Sequence, residues 1–340
     1  MANEQELTRI TISDGYVIDN NYLMLLEYPD AIDPHSIDYS ILRYFDDAAF
    51  GEEKWGYHDL DWHVVGLCVW RNSPFGRRAY VALSEQGHIE IEVAGGEQII
   101  EEHIPDAGLH EEWSRDYGYV DRVREIAGRL YVCGTNRQVY RRSDAGQWEH
   151  FDNGILVPEA KDLAELHSRR LKGLMDIAGL SEQSIYTAGY DGEVFYHDGT
   201  HWSQVESGVD EDLFKIKIVS EDDVYIIGAN GTLLRGNHRD GFKNLSSVED
   251  NQRFTGIEIF NGALFLASNL GMFTYDPVAQ KILPYKTNLT PDLVDCHVLE
   301  ARDGIMWSIG FKDLARFDGA QWERIHHPNN PPIGGATGTP

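Results

Sequence analysis

Cysteine is scarce in this chain. Cys68, Cys133 and Cys296 are the only three in 340 residues, and no CxxC spacing occurs. An odd, widely spaced set argues against a disulfide framework and against the common zinc patterns. Each thiol sits in an apolar, strand-like run, so reduced and buried core cysteines are expected. Proline is sparse too, at 12 residues. No run of about 18 apolar residues occurs, so no membrane-spanning helix is expected. The opening Met1-Ala2-Asn3-Glu4-Gln5-Glu6 is acidic and lacks an apolar h-region, so the expected location is cytoplasmic. Basic residues are the largest deficit: 29 Lys and Arg face 56 Asp and Glu, a formal charge of −27. Such a surface repels nucleic acid and anionic membranes and favours a cationic protein partner. The same acidity also serves solubility and keeps a chain of this kind monomeric on its own.

Glycine and aromatics are plentiful, with 33 Gly, 8 Trp, 17 Tyr and 13 Phe. That composition suits strands and turns. An internal repeat gives it order. Ile185-Tyr186-Thr187-Ala188-Gly189 is followed by Asp191-Gly192-Glu193-Val194-Phe195-Tyr196, then by Asp198-Gly199-Thr200-His201-Trp202. This reads as strand, glycine turn, strand, Asp-Gly turn, strand. The phrase recurs around Gly134, Gly228, Ser268 and Gly310, with Trp148, Phe242 and Trp322 at the place of Trp202. The intervals from Gly134 through Gly189, Gly228 and Ser268 to Gly310 are 55, 39, 40 and 42 residues. Trp148 to Trp202 shows the same long first step, so an insertion near 153–170 is expected. A further strand precedes each Tyr-x-x-Gly strand, as in Leu174–Ala178, Ile216–Val219 and Ile257–Phe260. Each unit therefore has four strands, a to d, of about 42 residues in all.

Looser copies extend upstream. One has strands at Val64–Trp70, Ala79–Leu83, His88–Glu92 and Glu97–Ile104. Another has strand candidates at Tyr22–Glu27, Ser40–Phe45 and Lys54–Tyr57. The expected fold is all-β: one β-propeller over residues 1–327, with seven blades of four antiparallel strands and six as the alternative. Residues 328–340 are expected to form a disordered tail. Within the insertion, Pro158 followed by early acids and by Arg169 and Arg170 predicts a short helix near 159–170.

The Tyr-x-x-Gly, Asp-Gly and Trp series resembles bacterial propellers of the photosystem II assembly factor-like and WD-repeat-like type. The resemblance covers residues 120–325 well and the first 120 poorly. It departs from true WD repeats in lacking the Trp-Asp dipeptide. The Asp198-to-Trp202 and Asp318-to-Trp322 turns are similar to sialidase Asp boxes without completing that pattern. The resemblance implies a fold and leaves function open, because propellers host many activities.

Four antiparallel strands also fix where the loops lie. Loops b–c and d–a leave one end of a blade, and a–b and c–d leave the other. The long connections are all d–a: 105–119, 153–170, 206–212, 248–253 and 286–294. Together they hold 14 acids against 6 Lys or Arg. Loops on a rigid scaffold are the usual place for binding. The candidate partner-binding residues are Glu111, Glu112, Trp113, Asp116, Tyr117 and Tyr119, with Glu159 and Asp162 in the insertion and Asp210, Glu211 and Asp212. Aromatics within an acidic rim match the composition of a protein-binding hot spot, or they fold back onto the blade edges.

No catalytic signature appears. Gly-x-Ser-x-Gly, phosphate-loop and dinucleotide-binding patterns are all missing. His58, Asp59, Asp61 and His63 are the densest His and acid cluster, with 59, 61 and 63 expected on one strand face. Four such residues in so acidic a chain do not make a metal site. No metal and no cofactor are expected. The reading is therefore a non-enzymatic binding propeller, either an immunity protein neutralising a cationic toxin or an assembly scaffold. The alternative is a glycan-acting hydrolase or lyase at the propeller mouth.

Overall fold

The computed structural model describes residues 8–334, except His35, Glu97, His110, Asp116, 158–171 and 247–251. The fold is a seven-bladed β-propeller, and each blade is an antiparallel sheet of four consecutive strands. Blade I holds β1 (Ile10–Val17), β2 (Tyr22–Pro29), β3 (Ser40–Asp46) and β4 (Trp55–Leu60). Blade II holds β5 (Val64–Trp70), β6 (Ala79–Ser84), β7 (His88–Val93) and β8 (Gln98–His103). Blade III holds β9 (Val120–Ile126), β10 (Arg129–Gly134), β11 (Val139–Asp144) and β12 (Gln147–His150). Blade IV holds β13 (Leu174–Ser181), β14 (Ser184–Gly189), β15 (Val194–His197) and β16 (Trp202–Val205). Blade V holds β17 (Leu213–Ser220), β18 (Asp223–Gly228), β19 (Leu233–Asn237) and β20 (Gly241–Asn244). Blade VI holds β21 (Gly256–Phe260), β22 (Ala263–Ser268), β23 (Gly271–Asp276) and β24 (Lys281–Pro284). Blade VII holds β25 (Val298–Arg302), β26 (Ile305–Ile309), β27 (Leu314–Phe317) and β28 (Trp322–Ile325). The chain divides into two compact units, 64–254 with blades II to V, and 1–63 plus 255–340 with blades I, VI and VII. Among the described residues no helix is long and apolar enough to cross a membrane.

In the 64–254 unit, strand b is covered on both faces. Every residue of β6 and β14 is buried, and only the first residue of β10 and of β18 is not. Their apolar runs follow from that two-sided burial. Strand d is more exposed, and in blades III and IV its tryptophan ties the blade to the one before. Trp148 Nε1 donates to Glu102 Oε2 of β8 at 2.9 Å, and Trp202 Nε1 donates to the Phe151 carbonyl at 2.6 Å. The indole thus fills an inter-blade seam and finds a hydrogen-bond acceptor there. The turn acid of the Asp-Gly-x-x-Trp phrase has its own local task. Asp198 Oδ1 accepts the Thr200 and His201 N–H groups at 2.8 and 3.0 Å, closing the c–d hairpin.

The repeat glycine is explained by close approach. A Cβ on Gly189 would lie 1.8 Å from the Gly173 carbonyl oxygen, and one on Gly228 would lie 2.1 Å from that of Asp212. The same two carbonyls accept N–H groups from Tyr190 and Ala229, at 3.0 and 2.8 Å. In blades IV and V the d–a connection is therefore seated on the end of strand b, where only glycine leaves room.

The other unit contains both ends of the described chain. Blade I packs on blade VII through Ile10, Ile12, Trp307 and Ile309 in one core, and Ile12 N donates to the Phe311 carbonyl at 3.0 Å. Inner strands are sheet edges with N–H groups that lack a ladder partner, and acidic side chains satisfy them. Glu258 Oε2 accepts from Ala301 N at 3.1 Å, and Glu300 Oε2 accepts from Val17 N at 2.6 Å. Asp176 does the same for Ile216 N at 2.9 Å in the 64–254 unit.

Several expectations change here. The first blade has an inner strand, β1, that sequence reading had not identified. It carries a register shift between Ile12 and Asp14, which breaks the alternation of a plain strand. β4 stops at Leu60, so Asp61 and His63 lie beyond it and do not share a strand face with Asp59. The short helix expected near 159–170 lies outside the described residues. Residues 328–334, expected in the tail, include anchored positions: Asn330 Oδ1 accepts from Ile10 N at 3.1 Å, and Asn329 Nδ2 donates to the Thr8 carbonyl at 3.1 Å.

Candidate functional site

At the loop end of the 64–254 unit, the b–c turns 85–87, 135–138, 190–193 and 229–232 meet the d–a connections. Ion pairs bind neighbouring turns together. Arg137 forks onto Glu193 with Nε–Oε2 at 2.8 Å and Nη2–Oε1 at 2.5 Å. Lys172 Nζ reaches Glu193 Oε1 at 2.8 Å and Asp191 Oδ2 at 3.2 Å. Burial opposes the Glu193 charge, but hydrogen bonds from Arg137 and Lys172 outweigh it and hold the carboxyl below its ordinary range. The hydrogen bond to Glu193 likewise holds the Lys172 ammonium above its ordinary range, against a smaller burial effect. At the start of β9, burial pushes the Asp121 carboxyl up to about 7, with Arg122 opposing and Glu85 adding to the shift.

The sequence-predicted residues fall on this end, in different states. Asp212 Oδ1 accepts the Asp191 N–H at 3.1 Å, and Glu211 Oε2 accepts from Asn230 Nδ2 at 2.7 Å. Both are thereby held against the b–c turns, while Asp210 is exposed. Glu112 is exposed and Glu111 half-buried. Trp113 turns inward: its ring centroid lies 4.9 Å from those of His88 and His103, and Nε1 faces the Gln86 carbonyl at 3.4 Å. The indole packs on the blade edge and shapes the loop. The Tyr117 carbonyl accepts from Asn136 Nδ2 at 2.7 Å, and its ring meets His150 edge-on at 5.9 Å. Tyr119 is 38% exposed, and its carbonyl accepts the Thr135 N–H at 2.9 Å. Asp116, Glu159 and Asp162 lie outside the described residues.

Two clusters were missed by sequence reading. The first is the Arg137–Glu193–Lys172 network, whose members are 21 to 56 residues apart. A signal existed: Arg137 and Glu193 stand three and four places after the repeat glycines Gly134 and Gly189. The second is His150, set between Asp152 Oδ2 at 3.0 Å and Asp106 Oδ2 at 3.3 Å. Arg115 approaches Asp106 at 3.3 Å. This pairing fastens connection 104–119 to blade III. Among the described residues no group of three His, Cys, Asp or Glu is placed to hold a metal. An end built of paired, ionised side chains on rigid turns is suited to electrostatic recognition of another macromolecule.

No protein-family profile matches the chain. A curated relative does: the chain is 32% identical over 266 residues to the immune protein Tsi7 of Pseudomonas aeruginosa, across 78% of this chain and 81% of that protein. Among solved structures, YCF48 bound to D1 peptide aligns with a TM-score of 0.60 at 13% identity, over 91% of this chain and 92% of that one. The WD40 propeller domain of Doa1 aligns with a TM-score of 0.58 at 9% identity, over 92% of this chain and 95% of that one. At such identities the structures speak for the propeller fold alone.

Proposed function

We propose, from the premise that this chain belongs to the family of the immune protein Tsi7, that it is a non-enzymatic immunity protein which binds and neutralises a cationic toxin. The observation that carries this reading is the 32% identity across 78% of the chain. The charge of −27 supports a basic partner, because opposite net charges speed encounter and fix orientation. The loop end of the 64–254 unit supplies the contact, with Glu111, Glu112 and Asp210 in its acidic rim. The protein acts in the cytoplasm and is a monomer until it meets the toxin.

Co-expression with the protein encoded by the adjacent gene tests the proposal. Growth arrest by that protein alone, rescue by this chain and a 1:1 complex of the two in light scattering are the expected results. Arrest that persists despite equal expression of this chain, with no complex at low salt, would sink it.

A further inference from the structure

Three large apolar side chains stand exposed at one end of blades VI and VII. Leu270 is 64% exposed, Val294 64% and Phe311 41%. Leu270 lies in the β22–β23 turn, Val294 in the β24–β25 connection and Phe311 in the β26–β27 turn. Antiparallel alternation puts these b–c turns and this d–a connection at the same end.

Close contacts bring the three segments together. A Cβ on Gly271 would lie 3.0 Å from the Leu293 carbonyl oxygen and 3.9 Å from Val294 Cα, so the turn holding Leu270 abuts Val294. On the other side, Lys312 N donates to Asp295 Oδ2 at 2.7 Å, so the turn holding Phe311 abuts the residue after Val294. The backbone beneath is fixed. Leu270 N donates to Ser268 Oγ at 3.1 Å, and Gly310 N donates to the Asp313 carbonyl at 2.7 Å. The Phe311 ring stacks on His297 at 4.5 Å and 14°. Apolar groups exposed on ordered turns are already positioned for contact, so binding them costs little ordering entropy. Clustered exposure of this kind marks interaction sites on soluble proteins.

We propose that Leu270, Val294 and Phe311 form an apolar anchor for the toxin, taking up apolar side chains ringed by Lys and Arg on a basic protein. This rests on the immunity reading above. Charge selects the occupant: a second copy would bring another −27 to the contact, whereas a basic partner gains both burial and attraction. Asp292 and Asp295 stand on either side of Val294 in the same connection, where Asp292 Oδ2 pairs with Lys286 Nζ at 3.3 Å and Asp295 Oδ2 accepts from Lys312 N.

The test uses the full chain and the adjacent gene's product in an inactivated form, with affinity read by surface plasmon resonance. L270E, V294E and F311S are compared with V278E, which sits 93% exposed in the β23–β24 turn at the opposite end of blade VI. Each patch variant is expected to weaken binding about tenfold or more, and V278E less than about twofold, with thermal midpoints matching the parent. Patch variants that bind like the parent overturn this inference and leave the immunity reading standing. A parent that does not bind takes both down. A parent dimer dissolved by the patch variants assigns the surface to a second copy and overturns the inference.

Discussion

His327 Nε2 lies 2.9 Å from Glu27 Oε1, pinning the segment after β28 to a buried position on β2. His327 Nδ1 accepts the Asn329 N–H at 3.1 Å, so the imidazole hydrogen sits on Nε2 and points at Glu27. Arg43 Nε reaches the other Glu27 oxygen at 2.6 Å, and all three side chains are buried. Since every blade is built of consecutive strands, no shared strand joins blade I to blade VII. Their common core and this strap do so instead. His327→Ala should lower unfolding free energy by about 1–3 kcal/mol, the cost of leaving a buried acceptor short of a donor. Arg43→Met should cost more, about 3–5 kcal/mol, because it strands a buried carboxylate. Urea midpoints of the full chain measure both. An Arg43→Met midpoint equal to the parent's would show that Glu27 finds another partner.

Gly228 offers a sharper steric test. The Asp212 carbonyl would lie 2.1 Å from an added Cβ, and it is backbone that cannot rotate away. Gly228→Ala should therefore destabilise by about 2–3 kcal/mol or more through displacement of connection 206–212. Gly56→Ala is the control. Its Cβ meets nothing within 4 Å, and its φ is not in the left-handed region, so its thermal midpoint should equal or exceed the parent's. Equal losses in the two variants would refute the seating argument.

Most of the blade structure was legible in sequence because close packing favours a similar residue at the matching place of most repeats. Glycine falls where a carbonyl crosses strand b, and tryptophan falls where an indole spans two blades. β1 was missed because a bulge interrupts its alternation. The site was less legible. Arg137 and Glu193 are 56 residues apart, so their pairing shows only once the repeats are aligned on Gly134 and Gly189. For Trp113 the sequence leaves both orientations open, projecting anchor or packing on the blade edge, because composition cannot say which way a loop aromatic turns. In the structure, His88 and His103 draw it inward.

The His150 clamp predicts a pH dependence. Both ring nitrogens face carboxylates, Asp152 on Nδ1 and Asp106 on Nε2, and only an imidazolium donates from both. Tyr140 and Tyr117 pack on the ring, and Arg115 faces Asp106 from the same connection. The hydrogen bond to Asp152 is the main cause holding the His150 pKa above its ordinary value. Burial opposes the shift, and Asp106 adds to it. A pKa raised on folding means stability that is full below the unfolded value of about 6.5 and lost as pH climbs through the folded value. The thermal-midpoint gap between the parent and His150→Phe should thus be constant in mild acid and shrink on the alkaline side. A gap that does not change with pH would show that His150 stays neutral.

If the acidic rim captures a basic toxin, its charges should act chiefly on association. Glu111 and Glu112 are the described acids in the middle of connection 104–119, and Glu112 is exposed to solvent. Rim charges at that exposure contribute little to a tight final contact, because water screens them. They add instead to the long-range field that draws a cation in, an effect that salt suppresses over about 8–10 Å. The double variant E111K/E112K should slow association with the adjacent gene's product about tenfold at low salt and change dissociation little, and the difference should collapse near 0.5 M salt. Trp113→Ala is expected to behave differently. Its indole faces His88 and His103, so removing it loosens the connection and raises the dissociation rate at every salt concentration. Stopped-flow mixing across a salt series separates the two. Association by E111K/E112K at the parent's rate in low salt would move the toxin contact off this connection.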